Sequence, residues 1–307
     1  MAGHWRTRMI RKTVQALGFI GLGVMGEPMC RNLIAAGKWR VVAYDRLPEP
    51  LTRLQELGAE TAPSAKTLVA NVDMVITCLP GGREVRDLLL GSEKLIDQLR
   101  DDQILVDMST SPPSLMRDLA SAARLQGAHF ADAPIARTRE AASDGTLAIM
   151  VGAEEAVFEA IRPVLSVMGS DIMHCGAPGA GQVIKIMNNM VLFQTVQALS
   201  EAITLAEGAG VDGKTLFETM TKGSGDSFAL RNHAMKSLLP EIYPEKAFAV
   251  DYAAKDLAYA LDMAAEQGVD APGAANMARQ FDEAIAQGYG NSYFPVVRRL
   301  LKKAENT

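Results

Sequence analysis

The chain has 307 residues, 48% of them hydrophobic and 22% charged, with a formal net charge of −5. That length exceeds one ordinary small domain and suits two, with ample apolar material for large cores. An acidic balance without a clustered Lys/Arg stripe or a low-complexity tract argues against non-specific nucleic-acid binding and against disorder.

The opening residues, MAGHWRTRMIRKT, are basic but lack an apolar stretch and a small-residue cleavage site, so they do not read as a signal peptide. Short apolar runs follow over 14–20, 40–45, 73–79, 103–107, 129–133, 147–151 and 171–174, each of strand length. Helical spacing fills intervals such as 28–36 and 51–57. The alternation predicts βαβ units, hence an α/β Rossmann-type doubly wound parallel sheet covered on both faces, with right-handed crossovers.

After about Pro178 no further strand is predicted, only helical segments over 182–207, 213–220, 228–239, 252–267, 274–286 and 295–303. The change falls at GAPGAG, 176–181, which places a strand–helix domain over 1–178 and an all-helical domain over 179–307. The first helix of that second domain, about 25 residues and about 38 Å long, is long enough to bridge two domains. A cleft between domains is a preferred ligand site. Its apolar stretch carries Lys185, Asn188, Asn189, Gln194, Gln197 and Glu201, which excludes an ordinary membrane span.

Cys30, Cys78 and Cys175 lie far apart with no CxxC pairing. They read as small buried hydrophobes in a reducing cytoplasm, not as a disulfide framework or a zinc site. His129, His174 and His233 are scattered without a nucleophile partner, so neither a charge relay nor a metal site is expected.

The first apolar run leads directly into Gly21-Leu22-Gly23-Val24-Met25-Gly26, a GxGxxG between a strand and a helix. Gly21 allows the tight turn, Gly23 lets the backbone approach a pyrophosphate, and Gly26 allows close helix–sheet contact. Phosphates would rest on free N–H groups around Val24 and Met25 at the helix N-terminus, helped by its dipole. Asp45 follows Gly26 by 19 positions, at the end of VVAYD, where a carboxylate accepts ribose hydroxyls. Arg46 beside it is suited to a 2′-phosphate, so the expected cofactor is NAD, with NADP use left open.

Several blocks in order then carry a resemblance: GFIGLGVMGEPM at 18–29, CLPGG at 78–82, VDMST at 106–110, DAPIARTREAASDGTLAIMVG at 132–152, GAGQVIKIMNN at 179–189 and KDL at 255–257. Together they resemble the β-hydroxyacid dehydrogenase family, which includes 3-hydroxyisobutyrate dehydrogenase and tartronate semialdehyde reductase. The family motif GxxxKxxxN is matched by Gly181, Lys185 and Asn189. The resemblance implies that Lys185 is the general acid/base, since hydride transfer to a carbonyl builds negative charge on oxygen and needs an aimed proton donor. In the oxidative direction its neutral amine would take the hydroxyl proton, which burial favours. Positions four apart on a helix share a face, so Asn188 and Asn189 are expected to orient the substrate while Gly181 leaves room for a ligand. By the same resemblance Lys255 reaches the cofactor or the site, Thr110 lies near the nicotinamide, and Leu79 and Pro80 form the turn beside the adenosine.

One block departs from the family. Where Ser-Gly-Gly is common, this chain has Ala136-Arg137-Thr138, similar to Gly-Arg-Thr in the sulfolactaldehyde reductase branch. A guanidinium forks onto carboxylate or sulfonate oxygens, so Arg137 and Thr138 are expected to hold a small anionic hydroxy acid or semialdehyde. An ion pair of Arg137 with Glu140 is the alternative. That branch also has a small polar residue three positions after the Asn pair; here that position is Leu192, which leaves the substrate anion open.

The reading is therefore an oxidoreductase moving hydride between NAD(H) and a small β-hydroxy acid or its semialdehyde, without nucleic-acid or membrane partners. A homodimer or homotetramer is expected by analogy. Two rivals are an imine reductase-like enzyme, against which Lys185 counts, and a non-catalytic NAD-binding sensor, which would be expected to lose Lys185 or the Asn pair.

Overall fold

A computed structural model describes residue 10, residues 13–245 and residues 247–301. Most of the basic opening stretch, and the last two positions of the helix expected over 295–303, lie outside the described residues. The chain divides into two compact units, Met1–Lys185 and Ile186–Thr307.

The first unit is built on a nine-stranded sheet: β1 (Ala16–Ile20), β2 (Arg40–Tyr44), β3 (Glu60–Thr61), β4 (Met74–Thr77), β5 (Ile104–Asp107), β6 (His129–Asp132), β7 (Ile135–Ala136), β8 (Leu147–Ala153) and β9 (Gly169–Gly176). Its order starts β3-β2-β1-β4-β5-β6 with every neighbour parallel, the doubly wound dinucleotide-binding order. The far edge differs from the uniformly parallel expectation: β8 runs antiparallel to β6 and β7, and β9 is parallel to β8. Between β6 and β8 lie only β7 and a one-turn helix, too little chain for the long crossover that a parallel pair needs. Strands β3 and β7, two residues each, are too short to show a period in sequence.

Helices α1 (Gly26–Ala35), α2 (Pro48–Gln55), α3 (Ala65–Ala70), α4 (Gly82–Leu90), α5 (Pro113–Leu125), α6 (Arg139–Ser143) and α7 (Glu155–Leu165) alternate with the strands. Successive side chains of one strand feed opposite cores, as the pleat requires. Leu17, Phe19, Met74, Ile76, Ile104 and Val106 enter one cluster with Met29 and Leu33 of α1. Ile20, Val75 and Leu105 enter the other with Leu68 of α3 and Leu119 of α5. Burial on both faces explains why these strands read as unbroken apolar runs.

Helix α8 (Ala180–Gly208) runs through the division of the units. Beyond it come α9 (Gly213–Met220), α10 (Val250–Gln267) and α11 (Pro272–Ala286). The segment expected as a helix over 228–239 is a π-helix, Leu230–Leu238, and the last is a 3₁₀ helix, Phe294–Leu301. Apolar spacing over two turns does not separate these windings from an α-helix. The two segments meet in this unit: His233 bonds Tyr293, and buried Arg298 joins the carbonyl of Leu238 to Glu207. Phe193 anchors the core of this unit, its ring meeting Phe281 and Phe294 edge-on at 5.3 and 5.2 Å. No described helix is long and apolar enough to cross a membrane.

Candidate active site

In the first unit β1, β2, β4, β5 and β6 finish in matched register, with Ile20 opposite Tyr44 and Thr77, Thr77 opposite Asp107, and Asp107 opposite Asp132. The segments that follow these strands therefore gather along one carboxyl edge, where open α/β sheets bind ligands.

The glycine-rich turn leaves β1 at that edge. Gly21 sits at φ 96°, its N–H donating to the Tyr44 carbonyl at 3.1 Å. A Cβ there would lie 2.3 Å from the Cys78 carbonyl oxygen, and a Cβ on Gly26 would lie 2.0 Å from that of Gly21. A Cβ on Gly23 would meet nothing within 4 Å. Two glycines thus serve the turn, while the third, with exposed Val24, faces open space at the start of α1. That is the geometry a pyrophosphate requires: accessible backbone N–H groups at a helix N-terminus and no side chain in the way. The residues present therefore fit a dinucleotide.

Asp45 accepts the Leu22 N–H at 2.6 Å on one oxygen and the Leu47 N–H at 2.8 Å on the other. Each oxygen retains a lone pair for a ribose hydroxyl. Arg46 is exposed. Glu27, in the first turn of α1, is hydrogen-bonded by Arg53 and Arg31, and the Arg53 bond is the largest cause holding its carboxyl down at about 2.

Leu79, half-buried, donates its N–H to Ser109 Oγ at 2.9 Å, and Pro80 beside it is exposed. Ser109 Oγ in turn donates to Asp107 at 2.6 Å, and Thr77 donates to the same carboxylate oxygen at 2.8 Å. Burial raises the Asp107 carboxyl despite these bonds, and raises the neighbouring Cys78 thiol to about 12. Cys78 is only partly covered from solvent, as is Cys175, whereas Cys30 is fully buried; all three are free thiols. Thr110 follows Ser109, half-buried, just past β5.

Helix α8 joins this edge through its first turn. Asp132, at the end of β6, accepts the Gly179 N–H at 2.6 Å and the Gln182 N–H at 2.9 Å. Gln182 accepts the Ser111 N–H at 3.0 Å and donates to the Ser109 carbonyl at 2.7 Å. Burial outweighs the two N–H bonds and raises Asp132 to about 7. Lys185 lies three residues further along α8 and is buried, 8% exposed. Gly181 does not leave space for a ligand. A Cβ there would stand 2.3 Å from the Met150 carbonyl oxygen and 2.8 Å from Asp132 Oδ2, so the glycine serves helix–sheet contact.

Arg137 is placed elsewhere in this unit. It follows β7 at φ 87°, and its guanidinium donates to the Thr146 carbonyl (2.6 Å) and Ser170 Oγ (3.0 Å). Its ion pair, at 2.7 Å, is with Asp171 of β9, not with Glu140. Thr138 caps α6, its hydroxyl accepting the Ala141 N–H at 3.4 Å.

In the second unit, Asn189 is buried and donates to Asp256 Oδ2 at 2.7 Å, while exposed Asn188 donates to Asn189 Oδ1 at 3.2 Å. Lys255 pairs with the other Asp256 oxygen at 2.9 Å and lies 5.2 Å from the centre of the Tyr259 ring. Asn189 and Lys255 thus meet through one carboxylate. Asp132, Gln182, Asp107 and Ser109 were not distinguished by sequence reasoning. The available signal was a carboxylate ending a strand, followed later by a glycine-bounded helix start.

Two families match the chain. One, described as the NAD binding domain of 6-phosphogluconate dehydrogenase, covers residues 16–176. The other, described as NAD-binding of NADP-dependent 3-hydroxyisobutyrate dehydrogenase, covers residues 179–300. The 2-(hydroxymethyl)glutarate dehydrogenase of Eubacterium barkeri is 36% identical over 274 residues, 89% of this chain and 90% of that protein. The NAD-dependent L-serine dehydrogenase of Pseudomonas aeruginosa is 32% identical over 94% of this chain and 98% of its own length. Among solved structures, the 3-hydroxyisobutyrate dehydrogenase of Mycobacterium tuberculosis with L-serine matches at a TM-score of 0.86 and 32% identity, covering 95% of this chain and 100% of that one.

Proposed function

This chain belongs to the β-hydroxyacid dehydrogenase family, and on that premise we propose that it oxidises a small β-hydroxy acid, or reduces the matching semialdehyde, with Lys185 as general acid/base. It is an NAD- or NADP-dependent dehydrogenase acting on a CH–OH group. The observation that carries the finer reading is a buried lysine on a helix whose first turn is hydrogen-bonded to both sides of Thr110.

The bound nicotinamide supplies or accepts the hydride. In the reductive direction the Lys185 ammonium donates a proton to the carbonyl oxygen as charge develops there; in the oxidative direction its amine takes the hydroxyl proton. Asn188 and Asn189 hold the substrate by neutral hydrogen bonds, and the fixed Asn189–Asp256 bond supports an orienting role. Arg137 and Thr138 are the proposed anion contact, which requires the guanidinium to leave Asp171 and the Thr138 hydroxyl to serve beyond its cap of α6; Lys255 adds positive charge, and Thr110 lies beside the nicotinamide.

For the cofactor, Gly21, Gly23, Val24, Met25 and Gly26 take the pyrophosphate, Asp45 the ribose, and Leu79 and Pro80 the adenosine side. Asp45 favours NAD, and exposed Arg46 is what would admit a 2′-phosphate. The proposed assembly is a homodimer or homotetramer, supported by exposed Val191 and Leu205 on α8, 58% and 74% accessible, which a second copy would cover. The proposed compartment is the cytoplasm, where free thiols persist.

The test is spectrophotometric. NAD and NADP reduction is followed with 3-hydroxyisobutyrate, L-serine, D-glycerate, 3-hydroxypropionate and 2,3-dihydroxypropanesulfonate, using the wild type and Lys185→Ala. Turnover lost in the variant supports the assignment. Full turnover in the variant removes Lys185 from the chemistry, and NAD binding without turnover of any substrate points to a sensor.

A further inference from the structure

We propose that Asp132 and Gln182 are positioning residues, forming a clamp that locks the first turn of α8 onto the loop after β5 and so sets Lys185 relative to Thr110. The proposal rests on the reading of Lys185 as the acid/base.

A helix start has N–H groups without intrahelical partners. Here the Asp132 carboxylate takes two of those nearest it, one oxygen each, Gly179 at 2.6 Å and Gln182 at 2.9 Å. That grip fixes the direction of α8 as well as its start. The contact is as close as glycine allows. A Cβ on Gly152 would lie 2.4 Å from Asp132 Oδ1 and 2.8 Å from the Gly181 nitrogen, and one on Gly181 would lie 3.0 Å from the Gly152 nitrogen.

Gln182 supplies the second half of the clamp. Its side-chain amide accepts from Ser111 N–H and donates to the Ser109 carbonyl, as a neighbouring strand would, and so brackets Thr110 on both sides. Both Gln182 and Asp132 are fully buried. The linkage continues, because Ser109 Oγ accepts the Leu79 N–H while donating to Asp107. One hydrogen-bonded path therefore runs from the turn after β4 through the loop carrying Thr110 to the turn of α8 that precedes Lys185. Reacting groups displaced by about 1 Å lose on the order of 100-fold in rate, so a clamp at this point is a rate device.

The test uses Gln182→Glu, which keeps the acceptor for Ser111 and loses the donor to Ser109, alongside Asp132→Asn and Lys185→Ala in the full chain. Four quantities are read: thermal midpoint, NAD+ affinity, the Lys185 ε-carbon resonance in ¹³C-lysine-labelled protein, and amide exchange over 109–111 and 179–185. Turnover of 3-hydroxyisobutyrate is added, with kcat and KM separated.

The expected result for Gln182→Glu, which buries a carboxyl against the Ser109 carbonyl, is a lowered midpoint in protein that still folds at the assay temperature, similar NAD+ affinity, a shifted Lys185 resonance, faster exchange at Ser111, and kcat per folded molecule lowered about 10- to 100-fold at similar KM. An unmoved resonance and unchanged exchange in folded Gln182→Glu and Asp132→Asn would overturn the clamp. So would activity that falls only in step with the loss of folded protein. If Lys185→Ala keeps full turnover, the acid/base reading fails by itself, and the resonance and exchange data still judge the clamp. The same two measurements decide it if 3-hydroxyisobutyrate is not turned over.

Discussion

Asn189 donates its side-chain amide to Asp256 Oδ2 at 2.7 Å, and both side chains are buried. The same carboxylate holds Lys255 at 2.9 Å on its other oxygen. Asp256→Ala therefore removes a buried acceptor from the Asn189 amide and one charged partner from a half-covered cation. The expected loss is about 1–3 kcal/mol of unfolding free energy, measured by urea denaturation. Asp256→Asn keeps an acceptor for Asn189 and should lose less. Equal stability of the alanine variant and the wild type would show that the network contributes nothing to folding.

His233 gives the helical unit a pH dependence. Burial, with repulsion from Lys236 second, lowers it from 6.5 to about 4. As pH falls from about 6.5 to about 4 the unfolded chain takes up a proton that the folded chain refuses, so stability present above 6.5 is lost on acidification. A shift of that size corresponds to roughly 3 kcal/mol. His233→Gln should flatten the decline in melting temperature between pH 7 and 4.5. An unchanged slope would mean that other groups set it.

The central strands of the parallel sheet were legible because they are buried on both faces and read as apolar runs, as at Leu17–Phe19 and Met74–Ile76, although their order was not. Nor was the reversal at β8, since an apolar run carries no direction. The glycine turn between β1 and α1 and the place of Asp45 just past β2 were legible because their signals are local in sequence. Gly181 was misread because a missing side chain looks the same whether a ligand or the Met150 backbone fills the space. Asp132 and Gln182 escaped notice because their partners are long-range: Asp132 pairs with residues 47 and 50 positions away, and Gln182 with residues 71 and 73 positions away. The Arg137 partner, Asp171, was missed for the same reason.

Two glycines should respond oppositely to alanine. Gly181→Ala forces a Cβ to 2.3 Å from the Met150 carbonyl oxygen, so backbone must shift. Overcrowding of this kind costs about 1–3 kcal/mol, more than the helix gains on losing a glycine. Melting temperature should fall. Gly23→Ala meets nothing within 4 Å and should leave melting temperature alone. If a pyrophosphate approaches there, NAD+ affinity should fall about tenfold or more, which is on the order of 1.4 kcal/mol. Unchanged affinity in Gly23→Ala would remove the turn from the cofactor site.

Arg137 holds φ 87°, a conformation that favours glycine, while its guanidinium is bonded to Thr146, Ser170 and Asp171. Hydrogen bonds from Ser170 and then Arg137 keep the Asp171 carboxyl below its usual range. Arg137→Gly relieves the strain of a positive φ and loses solvent-exposed hydrogen bonds and an exposed ion pair, so stability should change little. Substrate affinity separates the two roles open to the side chain. If Arg137 releases Asp171 to take a substrate anion, Arg137→Gly should raise KM for the preferred acid about tenfold. Asp171→Asn, by removing the competing carboxylate, should then lower it. If neither substitution moves KM, the guanidinium is a brace between the turn after β7 and strand β9, and the anion is held by other groups.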